Sequence, residues 1–242
     1  QVIHHDSYLD RADRQFTSPS GNVFDRGSVF FTTKEGERVT AATMQLGYKL
    51  AITPRQVTDP ELVYTKINEV VPIDRADFDK KVAKTTDPYE EIVNRLTEEQ
   101  AKTLRDADLP GVALYKEKWR FYPGGAIASQ TLGFVGFDDK DKLVGRAGLE
   151  NSFNATLSRK ADEVNVNFFA EVFGDINDTV FKNTVDEGDV VLTIEPSVQA
   201  ELEKTMTAVR EKWSGEIAGG IVMDPRDGSI IAMAGDPMFD PN

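Results

Sequence analysis

The chain has 242 residues, with 28 Lys+Arg against 41 Asp+Glu, a formal charge of −13, no cysteine and 40% hydrophobic residues. That length allows one large domain or two small ones with a real core, and a mean hydropathy of −0.39 is too apolar for a disordered chain and too polar for a membrane-embedded one. A pI near 4.7 without a basic stripe argues against holding nucleic acid, and the lack of cysteine removes disulfides, thiol catalysis, zinc ribbons and Fe–S sites.

The chain opens at Gln1 without Met, and no stretch approaches the ~20 apolar residues of a membrane span, so it reads as cut at both ends. Val2, Tyr8 and Ala12 suit a short surface helix that ends at Ser18-Pro19-Ser20-Gly21. His4 and His5 are adjacent and share no face, so they read as a solvated end rather than a metal site. Residues 22–33 read as extended, Lys34-Glu35-Gly36 as a turn, and 38–53 as one or two strands stopped by Pro54.

From Asp59 the apolar period becomes 3.6. Asp59-Pro60 caps a helix with Val63, Ile67 and Val70 on one face, and a second short helix carries Phe78 and Val82. A third is expected from Asp87-Pro88 with Tyr89, Ile92, Val93 and Leu96 as its apolar side. Thr97 and Gln100 form a capping box for a fourth, ending near Asp106. The stretch from about 59 to 108 thus reads as a helical insert between β pieces.

Residues 112–122 return to an extended pattern, closed by Pro123-Gly124-Gly125, and 126–134 reads as a helix. Leu149, Phe153 and Leu157 predict another helix over 146–157, entered through Gly145. Two or three strands are expected over 163–194, the clearest at 189–194 after the Asp186-Glu187-Gly188 turn. Val198, Leu202, Met206, Val209 and Trp213 form an apolar stripe on a long helix capped by Glu195-Pro196-Ser197. Then 217–223 and 229–234 form a hairpin around Asp224-Pro225-Arg226-Asp227-Gly228. A boundary falls near 188–196.

Motifs with catalytic chemistry are missing from the sequence. No Ser has Lys three residues on, no Lys precedes Thr-Gly or Ser-Gly, and there is no G-x-S-x-G, Walker loop, HExxH or EF-hand loop. The paired acids Glu90-Glu91, Glu98-Glu99 and Asp138-Asp139 read as solvated charges on polar helix faces or loops. Asn154-Ala155-Thr156 and Asn177-Asp178-Thr179 match a glycosylation pattern that arises easily by chance.

Two stretches are costly to keep without a purpose. Trp119-Arg120-Phe121-Tyr122-Pro123-Gly124-Gly125 sets an Arg among aromatics before a rigid, then permissive, turn; Gly145-Arg146-Ala147-Gly148-Leu149-Glu150 puts two glycines ahead of an acid. Arg120 and Glu150 are expected to form a partly buried ion pair. The structural residues of this interdomain clasp are Arg26, Gly27, Arg120, Tyr122, Pro123, Gly124, Gly125, Gly145, Gly148 and Glu150; no catalytic, cofactor or metal residue is nominated.

Arg26-Gly27, RFYPGG at 120–125, AIASQTLGFVG at 126–136, GRAGLE at 145–150, DVVLTI at 189–194 and the segment 221–242 occur in an order that resembles the N-terminal half of class B penicillin-binding proteins. The family often carries a second DRNG after the first motif; residues 28–36 lack it, which favours a sub-branch. The stretch from Arg120 to Glu150 looks somewhat closer to the division branch.

The resemblance implies an α+β fold: an elongated β-rich pedestal (dimerisation) domain over 1–190 with the helical insert, then the first helix and two strands of an incomplete transpeptidase domain over 191–242. It further implies a membrane anchor upstream of Gln1, an extracytoplasmic (periplasmic) location, and a Ser-x-x-Lys nucleophile beyond Asn242 that crosslinks peptidoglycan in the parent. The implied task of this segment is non-catalytic and needs no cofactor. It positions the catalytic domain and docks a SEDS-family glycosyltransferase and other cell-wall synthesis proteins, with a homodimer as a further option. A charge of −13 agrees in discouraging adsorption on anionic lipid. Alternatives from other classes are a free-standing extracytoplasmic binding module and a carboxylate-based cell-wall hydrolase. The truncated opening of a domain should leave the hairpin with exposed edges and the stripe from Val198 to Trp213 partly uncovered.

Overall fold

A computed structural model describes residues 25–139, 143–159 and 188–242. The expected helix of 1–20, His4, His5, the strands of 163–187 and the Asn177 tripeptide lie outside these residues. The α+β class holds, with helices and open sheets interleaved along the chain. The described residues divide into two compact units, one of 45–119, the other of 25–44 with 120–242. Packing, rather than chain order, defines these units, so the second joins residues from both sides of position 190.

In the first unit, the later part of β2 (Arg38–Ile52) pairs antiparallel with β3 (Glu90–Leu96), with Leu50 opposite Val93 and Ile52 opposite Glu90. Strand β4 (Val112–Phe121) also pairs with β2. Helix α1 (Pro60–Val70) starts where the Asp59 carboxylate accepts from Leu62 N, and it buries Val63 and Ile67. Helix α2 (Arg75–Val82) buries Phe78; α3 (Glu98–Asp106) opens with the Thr97–Gln100 capping box and buries Ala101 and Leu104. Leu50, Ile52, Val63, Ile67, Phe78, Leu96, Leu104 and Leu109 close the core.

The expected helix at 87–96 is instead strand β3. The spacing of Ile92, Val93 and Leu96 fits either period, and pairing with a strand whose Leu50 and Ile52 are both buried decides for the strand. The insert is therefore mixed rather than helical. Glu90 also departs from the expected solvated acid. It is 9% exposed and accepts from Lys84 Nζ at 2.6 Å, while Glu91 accepts from Lys49 Nζ at 2.5 Å.

In the second unit, β1 (Val29–Thr32) pairs antiparallel with the first part of β2 and parallel with β7 (Val190–Val191). After β4 come α4 (Ser129–Leu132), the two-stranded pair β5 (Val135–Phe137) and β6 (Leu143–Gly145), and the short helices α5 (Gly148–Ser152) and α6 (Asn154–Leu157). The helix expected over 126–134 shrinks to one turn because Ala128 (φ 54°) and Gly133 (φ 75°) are left-handed at its two ends. The helix expected over 146–157 breaks at Phe153, whose ψ of 23° with φ of −103° leaves the helical region. Helix α7 (Pro196–Lys212) and the hairpin of β8 (Ala218–Met223) and β9 (Ile230–Asp236) complete the unit. Its core gathers Val29, Phe31, Ala41, Ala42, Tyr122, Ala128, Leu132, Leu157 and Ile194.

Helix α7 leaves its apolar stripe partly uncovered, as expected, and buries two polar residues that the sequence pattern does not single out. Val198, Val209 and Trp213 of the apolar stripe are 36%, 41% and 74% exposed, whereas Gln199 and Glu203 are the buried residues. The middle of the stripe meets the hairpin, where Leu202 and Met206 lie over Gly220.

Candidate functional site: a buried charge cluster

Arg26 lies in the extended segment leading into β1, Arg120 at the end of β4, and Glu150 inside α5. They are 2%, 3% and 1% exposed. Arg26 Nε donates to Glu150 Oε2 at 2.5 Å, its Nη2 to the Glu150 carbonyl at 2.5 Å, and its Nη1 to Asn154 Oδ1 at 2.8 Å and Ser158 Oγ at 3.1 Å. Arg120 Nε donates to Glu150 Oε1 at 2.7 Å and its Nη1 to the Gly27 carbonyl at 2.7 Å. Arg120 Nη2 has no hydrogen-bond acceptor among the described residues. Tyr122 Oη donates to Glu150 Oε1 at 3.4 Å.

The electrostatics follow from two cations sharing one anion out of water. Burial lowers the pKa of Arg26, with the Glu150 carboxylate acting against it and Arg120 adding to it. Burial, then the Glu150 charge, pushes the Tyr122 phenol up, so it stays a neutral donor. Each oxygen of Glu150 is taken by a guanidinium. This chemistry ties three distant segments together; it leaves no oxygen of Glu150 without a donor to act as a base.

The glycines make the approach possible. A Cβ on Gly145 would sit 1.8 Å from the Glu150 carbonyl oxygen that Arg26 reads, and one on Gly27 would sit 2.1 Å from the Gly188 carbonyl oxygen. Gly148, at φ 56°, backs onto Gly133, whose own Cβ would meet the Ala147 carbonyl oxygen at 1.9 Å. Pro123-Gly124-Gly125 forms a tight turn in which Gly125 N donates to the Tyr122 carbonyl at 2.9 Å and Gly125 is left-handed.

The structure therefore brings Arg26, Gly27, Arg120, Tyr122, Gly145 and Glu150 into one cluster. Gly148 opens the same short helix as Glu150, while Pro123, Gly124 and Gly125 form the adjoining turn. All ten belong to the second compact unit. Sequence reasoning misses Asn154 and Ser158. Asn154 accepts from both Arg26 Nη1 and Gly145 N, and its only sequence signal is a glycosylation-like tripeptide. Glu98 and Glu99 are exposed in the first turn of α3, as expected of solvated acids. Among the described residues, no group of His, Asp or Glu is arranged to hold a metal, and no helix is long and apolar enough to cross a membrane.

The Penicillin-binding Protein dimerisation domain family matches residues 21–193, and the chain belongs to that family. Its relatives are class B penicillin-binding proteins. The stage V sporulation protein D of Bacillus subtilis (strain 168) is 28% identical over 93% of this chain and 33% of its own length. The peptidoglycan D,D-transpeptidase FtsI of Escherichia coli (strain K12) is 25% identical over 62% of this chain and 25% of its own, and MrdA of Salmonella typhimurium (strain LT2) 25% identical over 81% and 34%. A crystal structure of penicillin-binding protein 2X from Streptococcus thermophilus shares the fold, with a TM-score of 0.56 and 19% identity over 90% of this chain and 35% of that one. The chain thus spans a quarter to about a third of the length of these proteins. The expected membership in class B is borne out.

Proposed function

We propose that this chain is the non-catalytic pedestal of a class B penicillin-binding protein, together with the opening elements of its transpeptidase domain. The reading is carried by the one-sided cover of the β8–β9 hairpin, which lies past residue 193, where the family match ends. Helix α7 covers one face of that hairpin, touching Gly220, while the other face is bare apart from Gln130 of α4, which lies against Gly235. On the bare face Ile221, paired with Met233, is 60% exposed, and a cavity of about 470 Å³ opens among Gln130, Thr131, Ile217 and Gly219. A one-sided sheet with an apolar open face is an unfinished layer that further chain would cover.

In this reading the charge cluster holds the pedestal segments in register, and the pedestal sets the catalytic domain at its working position on the extracytoplasmic face of the cell membrane. The parent crosslinks peptidoglycan. Its partners are a SEDS-family glycosyltransferase and other cell-wall synthesis proteins, with self-association as a further mode; the family resemblance supports these. Labelling with a fluorescent penicillin tests the assignment. The 242-residue chain stays unlabelled, while the polypeptide extended past Asn242 is labelled at a Ser of a Ser-x-x-Lys motif. Labelling of the 242-residue chain itself would overturn the reading.

A further inference from the structure

Beside Leu202 and Met206, which lie over Gly220, helix α7 carries a buried to half-buried polar row. Gln199, Glu203, Thr207 and Arg210 recur at helical spacing, and each bonds to a group outside the helix. Gln199 Nε2 donates to the Met233 carbonyl at 2.9 Å and Met233 N donates to Gln199 Oε1 at 2.9 Å, so this one side chain pairs with β9 as a neighbouring strand would. Thr207 Oγ1 donates to Asp236 Oδ1 at 2.7 Å, and Arg210 pairs with Asp236 Oδ2.

Glu203 turns the other way. Its Oε1 accepts from Gln199 Nε2 at 2.7 Å and from Ala128 N at 2.7 Å, the backbone amide just ahead of α4. From α4, Thr131 Oγ1 donates to the same Met233 carbonyl at 3.2 Å and Gln130 Nε2 to the Pro237 carbonyl at 2.7 Å. The C-terminal end of α4 is Gly133, packed backbone to backbone against Gly148, two residues before Glu150. Hydrogen bonds and a glycine contact therefore run without a gap from the charge cluster, through α4, to β9.

We propose that Gln199 and Glu203 are positioning residues: a polar seam that fixes the register of the β8–β9 hairpin on α7 and couples that register to the Arg26–Glu150–Arg120 cluster. An apolar helix face tolerates sliding because its contacts are non-directional, whereas paired amide bonds at Met233 hold only one register and leave buried groups unsatisfied in any other. The coupling concerns this chain alone. Its meaning for a transpeptidase, that the pedestal cluster governs the first strands of the catalytic sheet, rests on the proposed pedestal function.

Amide hydrogen exchange on the 242-residue chain tests it. Gln199→Met removes both bonds to Met233 at similar volume; it should speed exchange of Met233 N–H by about tenfold, the worth of one net hydrogen bond. The decisive measurement is remote. Glu150→Gln should also speed exchange at Met233 and Ala128, and Gln199→Met should speed it at Leu132 and Gly133, while Leu50 and Ile67 of the other compact unit keep their rates. If Glu150→Gln does not fold, Glu203→Met, which removes the acceptor of Ala128 N and Gln199 Nε2, replaces it, read at Leu132 and Gly133. Unchanged remote amides in either variant would overturn the coupling. Such a result would leave penicillin labelling of the extended polypeptide unaffected, so the two proposals fail separately.

Discussion

Arg26 and Glu150 stand 124 positions apart in the chain and meet through two hydrogen bonds of 2.5 Å, one to the carboxylate and one to the backbone carbonyl, with both side chains out of water. Arg120 shares the same carboxylate. Removing the anion leaves two buried cations facing each other, so Glu150→Ala should cost about 3–5 kcal/mol in urea denaturation. Replacing Arg26, Arg120 and Glu150 together by Met should recover most of that loss, because no charge then remains uncompensated. A Glu150→Ala variant of unchanged stability would show that the cluster does not hold the unit together.

The glycines around the cluster separate into two kinds. Gly145→Ala drives a Cβ into the Glu150 carbonyl oxygen, where only backbone can give way, and should cost at least about 3 kcal/mol. Gly125→Ala meets nothing within 4 Å and carries only the left-handed penalty, about 1–2 kcal/mol. Thermal melts of the two variants should rank in that order.

Acid should loosen the C-terminal helix and hairpin. Arg210, then Thr207, holds the Asp236 carboxyl below its ordinary range, and the Ser197 hydroxyl, then Val198 N, does the same for the helix-capping Glu195. A depressed folded pKa means a contribution that is complete above the unfolded value of about 4 and is lost as pH falls through the folded one. Exchange at Met233 and Val198 followed from about pH 6 to about pH 2.5 should therefore accelerate, beyond its intrinsic pH dependence, only below about pH 4. The Asp236→Asn variant should lose the part that Asp236 contributes.

Exposure, not hydrophobicity, should govern substitutions on α7. Trp213→Ser and Val209→Ser remove exposed apolar groups and should shift stability by no more than about 0.5 kcal/mol. The exposed positions of the stripe should thus be tolerant in a denaturation series, unlike Leu202 and Met206, which lie over Gly220.

Helix caps should behave locally. Thr97→Ala removes the hydroxyl that Gln100 N donates to and breaks the reciprocal capping box, costing about 1 kcal/mol in the same assay.

Local chemistry made much of this fold legible. Asp59-Pro60 and the Thr97–Gln100 box start their helices where the sequence places them, and Pro54, the Lys34-Glu35-Gly36 turn and the Asp224–Gly228 turn bound their strands, because caps and turns depend on residues a few positions apart. The six motifs in order were enough to indicate the family. Strand β3 was not legible, since its Ile92, Val93 and Leu96 satisfy both periods and only the partner strand β2 chooses between them. Nor was the buried face of α7. Periodicity ranks faces by hydrophobicity, yet Gln199 and Glu203 are buried because Met233 and Ala128, far away in the chain, present backbone groups that need partners. The sequence by itself determined the composition class, most element boundaries and the pairing of Arg120 with Glu150. Only the tertiary structure decided that Arg26 shares that carboxylate, that Asn154 and Ser158 complete the cluster, and that α7 buries Gln199 and Glu203, since each depends on groups distant in the chain being brought within hydrogen-bond reach.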